Sequence, residues 1–470
     1  MPIPQDDPLR CGLAWSAKVC ASGQVHTDRD PALVFGESCN WMAASDEIVR
    51  GAIERGEIGP LLDLAPEISH EPDAERWTFT LDGRTAHVRR FGEQGVAVVG
   101  DPEEGPRFTP TPVPRQVAAG VHSPLDDPSV VADPGATGAR VDKLAEAEEL
   151  LFGRPEQMTN AVIVMHRGEI LLERYRDPFD AETRFESWSM GKTIAATLFG
   201  VAQQQGLVSL DETALFDAWS SGDDPRREIR ARDLLNMASG LDFTGSYGRS
   251  EDPSRKSEAG RFLDHVYVYA GGVDSHTFCL EKPLADPPGT SGRYRNCDPL
   301  LIMGLLRERA CAGDVDEFLT WPYEALLNRI GANGMVLETD PFGHFLISGH
   351  DYGRARDWAR LGQLHLQRGA WGGEQLFSEE YAEFVRTPAR HAWDTAHCYG
   401  AFAYLNEDGV LPTLPPDAFL MSGGGRQRTV IVPSLDLVLV RLGHINGQVF
   451  GIEDTLNQAY AAIVAAVESA

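Results

Sequence analysis

Ser187-Trp188-Ser189-Met190-Gly191-Lys192-Thr193-Ile194-Ala195-Ala196-Thr197-Leu198-Phe199 opens a run that stops at Gly206. The pattern predicts a helix over Thr193–Gln205, closed by that glycine. Ser189 and Lys192, three residues apart at its entrance, lie on one helical face, so the amine can reach the hydroxyl. A serine there meets the positive end of the helix dipole, which favours developing negative charge. The apolar residues that follow imply burial, and burial lowers a lysine pKa toward the range of a working base. Taken alone, the pair also fits a helix-capping serine followed by a surface lysine. Lysine is scarce, however: Lys18, Lys143, Lys256 and Lys282 are the others, and none has a serine three residues before it.

Working outward, Val141–Leu151 reads as a helix. Ala161–Met165 and Glu169–Tyr175 read as a hairpin turning at Arg167-Gly168. Near the other end, Thr429–Val432 and Leu437–Leu442 read as strands around Pro433-Ser434, and Asp454–Val467 as an amphipathic closing helix. Strands at both ends with helices between them predict an α+β fold: an antiparallel sheet flanked by helices, with an inserted helical subdomain. Residues 1 to about 100 are expected to hold short elements only, among them Trp77–Leu81, a turn at Asp82-Gly83, Ala86–Phe91 and Val96–Val99. Eight prolines between Pro102 and Pro134 then make a linker or a surface-hugging arm. The expected division is 1–138, an accessory region with its proline-rich linker, and 139–470, the main domain.

Two further motifs carry chemistry. Tyr294-Arg295-Asn296 follows Pro287-Pro288-Gly289-Thr290 and precedes Leu300-Leu301-Ile302. A tyrosine at a loop edge, two residues from an amide, can share proton work and orient a substrate; it can also simply anchor a turn. Met421-Ser422-Gly423-Gly424-Gly425-Arg426-Gln427 opens into the Thr429–Val432 strand. Consecutive glycines let a substrate lie against backbone amides. A plain tight turn is the alternative, whereas a phosphate cradle lacks the helix that should follow it.

In this order and spacing the three motifs resemble the serine β-lactamase and penicillin-binding-protein superfamily. The likeness is closest to its class C-like branch, with the family VIII carboxylesterases, D-aminopeptidase-type enzymes and 6-aminohexanoate-dimer hydrolases. Gly206–Asp211, Ile229–Leu241 and Arg354–Gly362 are similar to connecting segments of that branch, and the resemblance spans roughly 140–470. It implies a β-lactamase-like fold with an N-terminal extension. Ser189 would be the acylated nucleophile, Lys192 its proton acceptor, and Tyr294 a relay to the leaving group. Asn296 would orient Lys192 or the substrate. The amides of Ser189 and Gly424 would form the oxyanion hole, with Ser422 and Gly423 beside it. Tyr247 falls where nylon-oligomer hydrolases carry a substrate-contacting tyrosine, without their acidic pair. The third motif departs from the family: Met421 stands where a lysine or histidine is usual. A methionine offers no charge to a β-lactam carboxylate, which favours a neutral ester or amide, unless a cation such as Arg426 compensates.

Composition narrows the field. The 470 residues hold 42 Lys and Arg against 70 Asp and Glu, a net charge of −28. Such a surface repels nucleic acid and anionic lipid. No apolar run approaches the ~18 residues of a membrane span, and Met1–Asp7 has neither the basic nor the apolar part of a secretory signal, so a cytoplasmic location is expected. Seven cysteines without a Cys-x-x-Cys pair argue against a zinc ribbon or a disulfide framework. No metal or organic cofactor is expected; the expected partner is a small ester or amide. The N-terminal region stays open to adding strands to the sheet, capping the site or mediating a homodimer. Four rival readings remain: a β-lactamase or D-amino-acid peptidase of the same fold, and a non-catalytic peptide-binding module. The other two are an α/β-hydrolase using His444, which lacks the first glycine of the nucleophile elbow, and a metal hydrolase around His391, His397 and Cys398.

Overall fold

Among the described residues the two largest sheets have seven and four strands, and helices pack on both faces of the larger one. The computed structural model describes residues 1–39, 66–115, 123–127, 130–154, 157–244, 262–389, 392–393, 398–444 and 452–468. The first element is a helix of 20 residues, α1 (Pro8–Thr27), where only short elements were expected. Asp7 caps it by accepting from the Arg10 amide, and it ends at Asp28, whose φ is 54°. From Cys11 to Gly23 every residue but Gly12 is buried. A helix covered on all sides has no polar face, so the 3.6-residue alternation that reveals a surface helix is missing. Strands β1 (Glu67–Glu71), β2 (Arg76–Leu81), β3 (Arg84–Arg90) and β4 (Val96–Val99) form an antiparallel sheet in that order. Asp82 and Gly83, with φ of 48° and 72°, make the tight turn expected between β2 and β3. This sheet is separate from the main one, and among the described residues the N-terminal region adds no strand there.

The proline-rich stretch lies along the surface as an arm. Arg115 donates to the carbonyls of Asn333 and Met335, both at 2.7 Å. Further on, Arg356 donates to the carbonyls of Leu125 and Asp127, and Arg360 to the Asp126 carboxylate. Prolines leave carbonyls without ladder partners, and Arg356 uses those of Leu125 and Asp127.

After the arm come α2 (Val141–Phe152), β5 (Thr159–His166), β6 (Glu169–Tyr175), β7 (Phe185–Glu186) and α3 (Gly191–Gln204). The helical middle includes α4 (Asp264–Ala270) and α5 (Cys297–Ala310), followed by β8 (Val336–Leu337), β9 (Asp351–Gly353) and α6 (Ala355–Leu366). The chain closes with β10 (Tyr399–Gly400), β11 (Ala403–Leu405), β12 (Phe419–Gly423), β13 (Gln427–Val432), β14 (Leu437–Gly443) and α7 (Ile452–Val467). The main sheet runs β10-β11-β12-β13-β14-β5-β6, and every pairing in it is antiparallel. That is the expected α+β arrangement. An α/β-hydrolase has a mostly parallel sheet, so this topology removes that rival.

Strand β5 is buried along its whole length and its two faces belong to different layers. Ala161, Ile163 and Met165 join the core that holds α3 and α6, whereas Val162 and Val164 pack with α2 and α7. The same inner core takes in Leu13, Trp15 and Val19 of α1, so the N-terminal helix and the helix after Ser189 share one apolar interior. Among the described residues no helix is long and apolar enough to cross a membrane.

Candidate active site

Ser189 sits in a short 3-10 turn, Trp188–Met190, that runs straight into α3. Trp188, the residue before it, has φ of 52°, a left-handed conformation that a bulky side chain adopts only when its surroundings enforce it. Two contacts do so. Trp15 of α1 packs on the Trp188 ring at 5.7 Å between centroids. Ser187 on its other side is tied to β9: its amide donates to the Asp351 carbonyl at 3.1 Å, and its hydroxyl contacts both that carbonyl, at 2.7 Å, and the Asp351 carboxylate.

Lys192 is 1% exposed. Its Nζ lies 2.8 Å from Ser189 Oγ and donates to the Ser348 carbonyl at 2.6 Å. Burial holds its pKa well below the ordinary lysine value, with Asp351 pulling weakly the other way. An amine with its proton affinity reduced, within hydrogen-bond reach of a hydroxyl, is a competent general base. Gly191 between the two is needed for space: any side chain there would run into the Asp351 carboxylate and the Ile347 carbonyl.

The structure brings Tyr294 to the same place. Its ring centroid is 4.9 Å from Lys192 Nζ, and it packs with Tyr399 and Tyr404 at 6.2 and 6.1 Å. His265 of α4 lies 6.0 Å away and is held neutral, its pKa pushed well down by burial and then by Lys192. Asn296 sits apart from the cavity. It is 1% exposed, and its Nδ2 donates to the His265 carbonyl at 2.6 Å, joining α4 to the start of α5. The oxygen that takes the second Lys192 proton belongs to Ser348, a residue with no local sequence signal. Tyr247 lies outside the described residues.

A cavity of about 330 Å³ opens over Ser189. Ser422, Gly423 and Gly424, at the end of β12 and just past it, form one side, and Tyr404, Leu405, Val410, Leu411 and Leu420 an apolar wall. Gly423 touches the Ser187 carbonyl so closely that a Cβ would overlap it. Met421 points the other way, 1% exposed within the inner core. Arg426, Arg428 and Glu453 make the charged wall. Glu453 pairs with both arginines, and Arg428 also donates to the Tyr460 hydroxyl at 3.2 Å. Arg426, the candidate replacement cation, therefore meets the cavity already partnered. Its φ of 62° is another left-handed residue beside the glycines.

His391 and His397 lie outside the described residues, and Cys398 lines the cavity. Among the described residues one group, Asp274, Asp340 and His344, brings metal-type ligand atoms within 4.8 Å of one another. Its lone pairs are already used. Ser275 donates twice to one Asp340 oxygen, and the Phe342 and His344 amides donate to the other. Arg307 donates to His344 Nδ1, which leaves the Nε2 proton for Asp274. The cluster is a satisfied polar network. His444, once a triad candidate, meets Ser38 at 3.5 Å and Glu186 at 3.8 Å.

Known structures share this arrangement of chain. A penicillin-binding-protein homologue from Caulobacter crescentus superposes with a TM-score of 0.53 at 15% identity, covering 71% of this chain and 99% of its own. A family VIII carboxylesterase gives 0.53 at 14% identity, over 71% and 99%. A Bacillus anthracis protein described provisionally as a 6-aminohexanoate-dimer hydrolase gives 0.51 at 17%, over 76% and 89%. At such identities the likeness establishes the fold. Residues 156–463, well over half of the sequence, match the Beta-lactamase family, and the chain belongs to it.

Proposed function

We propose that this protein is a serine hydrolase that cleaves a carboxylic ester or amide through an acyl-enzyme on Ser189. The observation that carries the reading is the 2.8 Å approach of a buried, proton-poor Lys192 amine to Ser189 Oγ at the mouth of a cavity. In the acylation step Lys192 takes the Ser189 proton as Oγ attacks the substrate carbonyl. The tetrahedral oxyanion lies between the backbone amides of Ser189 and Gly424, two residues that line the cavity. Each such preorganised donor contributes about 3 kcal/mol to the transition state. Tyr294, whose ring lies beside Lys192, hands the proton on to the leaving group and then helps to activate the hydrolytic water.

The inward-facing Met421 and the Arg426–Glu453 pair support an uncharged substrate over a β-lactam carboxylate. The apolar wall of Tyr404, Leu405, Val410 and Leu411 suits the acyl chain. The test is intact mass with peptide mapping after exposure to a fluorophosphonate, run beside Ser189→Ala and a short p-nitrophenyl ester assay. A stoichiometric adduct on Ser189, with turnover lost in the variant, is expected. Labelling at a different serine removes the assignment, and folded protein with neither adduct nor turnover points to a peptide-binding module.

A further inference from the structure

Asp351 is a buried acid that the mechanism above does not use, yet it reaches both ends of the nucleophile turn. Its carboxylate lies against Gly191 on one side and the Ser187 hydroxyl on the other. The residue is 0% exposed, and its Oδ1 has no hydrogen-bond partner among the described residues. Ser187 Oγ contacts two Asp351 oxygens, the backbone carbonyl at 2.7 Å and the carboxyl Oδ2. A serine hydroxyl has one hydrogen and cannot donate to both. If it goes to the carbonyl, the hydrogen in the second contact must come from Asp351 itself, with Ser187 Oγ accepting it.

We propose that Asp351 is a positioning residue held as a neutral carboxylic acid, which donates to Ser187 and so keeps Lys192 as the free amine that Ser189 needs. An ionised Asp351 with an unpartnered oxygen in a buried site would draw a proton onto the neighbouring amine and spend the base before reaction. With the acid neutral, the one new positive charge in the acylation step is the Lys192 ammonium. It forms as the Ser189 O–H bond breaks and is matched by the substrate oxyanion; Asp351 keeps its proton throughout. The surroundings of Asp351 favour the proton on balance. Burial is the main cause that raises its pKa, to about 8, and Glu338 beside β8 adds to it, while Ser187 and Lys192 oppose. Tyr269 of α4 bonds the Ser348 hydroxyl at 2.7 Å and is itself pushed up by burial, and His350 is held neutral. The inference rests on the Ser189–Lys192 reading, but its first test does not need turnover.

Infrared difference spectra of wild type against Asp351→Asn at pH 6 should show a protonated-carboxyl stretch that the variant lacks. The same variant mimics the neutral acid, so its kcat/KM should stay within about twofold of wild type at pH 6–7, with the acidic limit unmoved. Above about pH 8 the two profiles should part, because only wild type has the ionisation. Absence of the carboxyl band overturns the proposal. So does an acidic limit moved to lower pH in Asp351→Asn, the shift expected if an anion had been supporting the Lys192 ammonium. If that variant does not fold, Ser187→Ala decides: it should move the carboxyl band to higher wavenumber, and an unmoved band overturns the donation to Ser187. Ser189 labelling, measured separately, tells a failure here from a failure of the nucleophile assignment.

Discussion

Trp15 and Trp188 face each other across the join between the N-terminal helix and the nucleophile turn, their ring centroids 5.7 Å apart and their planes 31° from parallel. Each is 4% exposed. Because Trp188 carries the left-handed backbone that presents Ser189, the proposed function makes Trp15 a backstop for the geometry at Ser189 as well as a core residue. Trp15→Ala should cost roughly 3–5 kcal/mol of stability. It should also lower kcat more than it raises KM, since the cavity wall is untouched. Trp15→Phe should restore most of kcat. Thermal melts and steady-state ester kinetics check both; equal kcat in all three proteins would reduce Trp15 to packing alone.

Gly423 offers a sharper probe of the end of β12. Its φ is −126°, so backbone freedom is not the reason for glycine there; the Ser187 carbonyl is. Gly423→Ala should push β12 away from the nucleophile turn and take Gly424 with it. With one oxyanion donor displaced, kcat should fall about 10²–10³-fold. The melting temperature should change little, because the β12–β13 ladder from Phe419 to Gly423 is otherwise intact. Fluorophosphonate labelling rates against calorimetry separate the two effects.

The polar centre around Glu338 predicts an acid-sensitive fold. Glu338 is fully buried and takes Lys18 at 2.8 Å, the Ser22 hydroxyl at 2.9 Å, His26 at 2.9 Å and the Val96 amide at 2.8 Å. Burial alone would raise its pKa, but Lys18 and then His26 outweigh it and hold the carboxyl below its ordinary range. A depressed carboxyl contributes stability that is present above the unfolded value, near 4.3. That stability drains away as pH falls through the folded value. Chemical denaturation at pH 7, 5 and 3.5 should show the loss, and Glu338→Gln should flatten it. Lys18→Met, which strands a buried anion, should cost about 3–5 kcal/mol at pH 7. The double variant should recover part of that.

What could be read from the sequence was local or periodic. Ser189 and Lys192 are one turn apart, and β5, β6, β13 and β14 announce themselves by short apolar runs bounded by turns. The hidden parts are of two kinds. Helix α1 is buried on all sides and has no polar stripe to betray it. The rest are pairings that exist only after folding: Asp351 with Ser187 lies 164 positions away, Lys192 with Ser348 156, and Lys18 with Glu338 320. An aspartate before Tyr352-Gly353 reads like any turn residue. Only its burial in the folded chain turns it into a chemical group. Met421 was legible in identity but not in direction, since the alternation of β12 decides which face it joins.

The way β5 is paired has a consequence for how the chain is made. Leu439 of β14 lies opposite Val164 of β5, so the middle of the main sheet joins segments from opposite ends of the domain. During synthesis β5 and β6 emerge early and pair as a hairpin, leaving the other edge of β5 bare until the last strand leaves the ribosome. For most of translation the nascent protein therefore carries Ser189 and Lys192 on a helix with no finished sheet beneath it. A chain cut short before Leu437 would hold Ser189 and Lys192 but lack β14, the strand that joins β13 to β5.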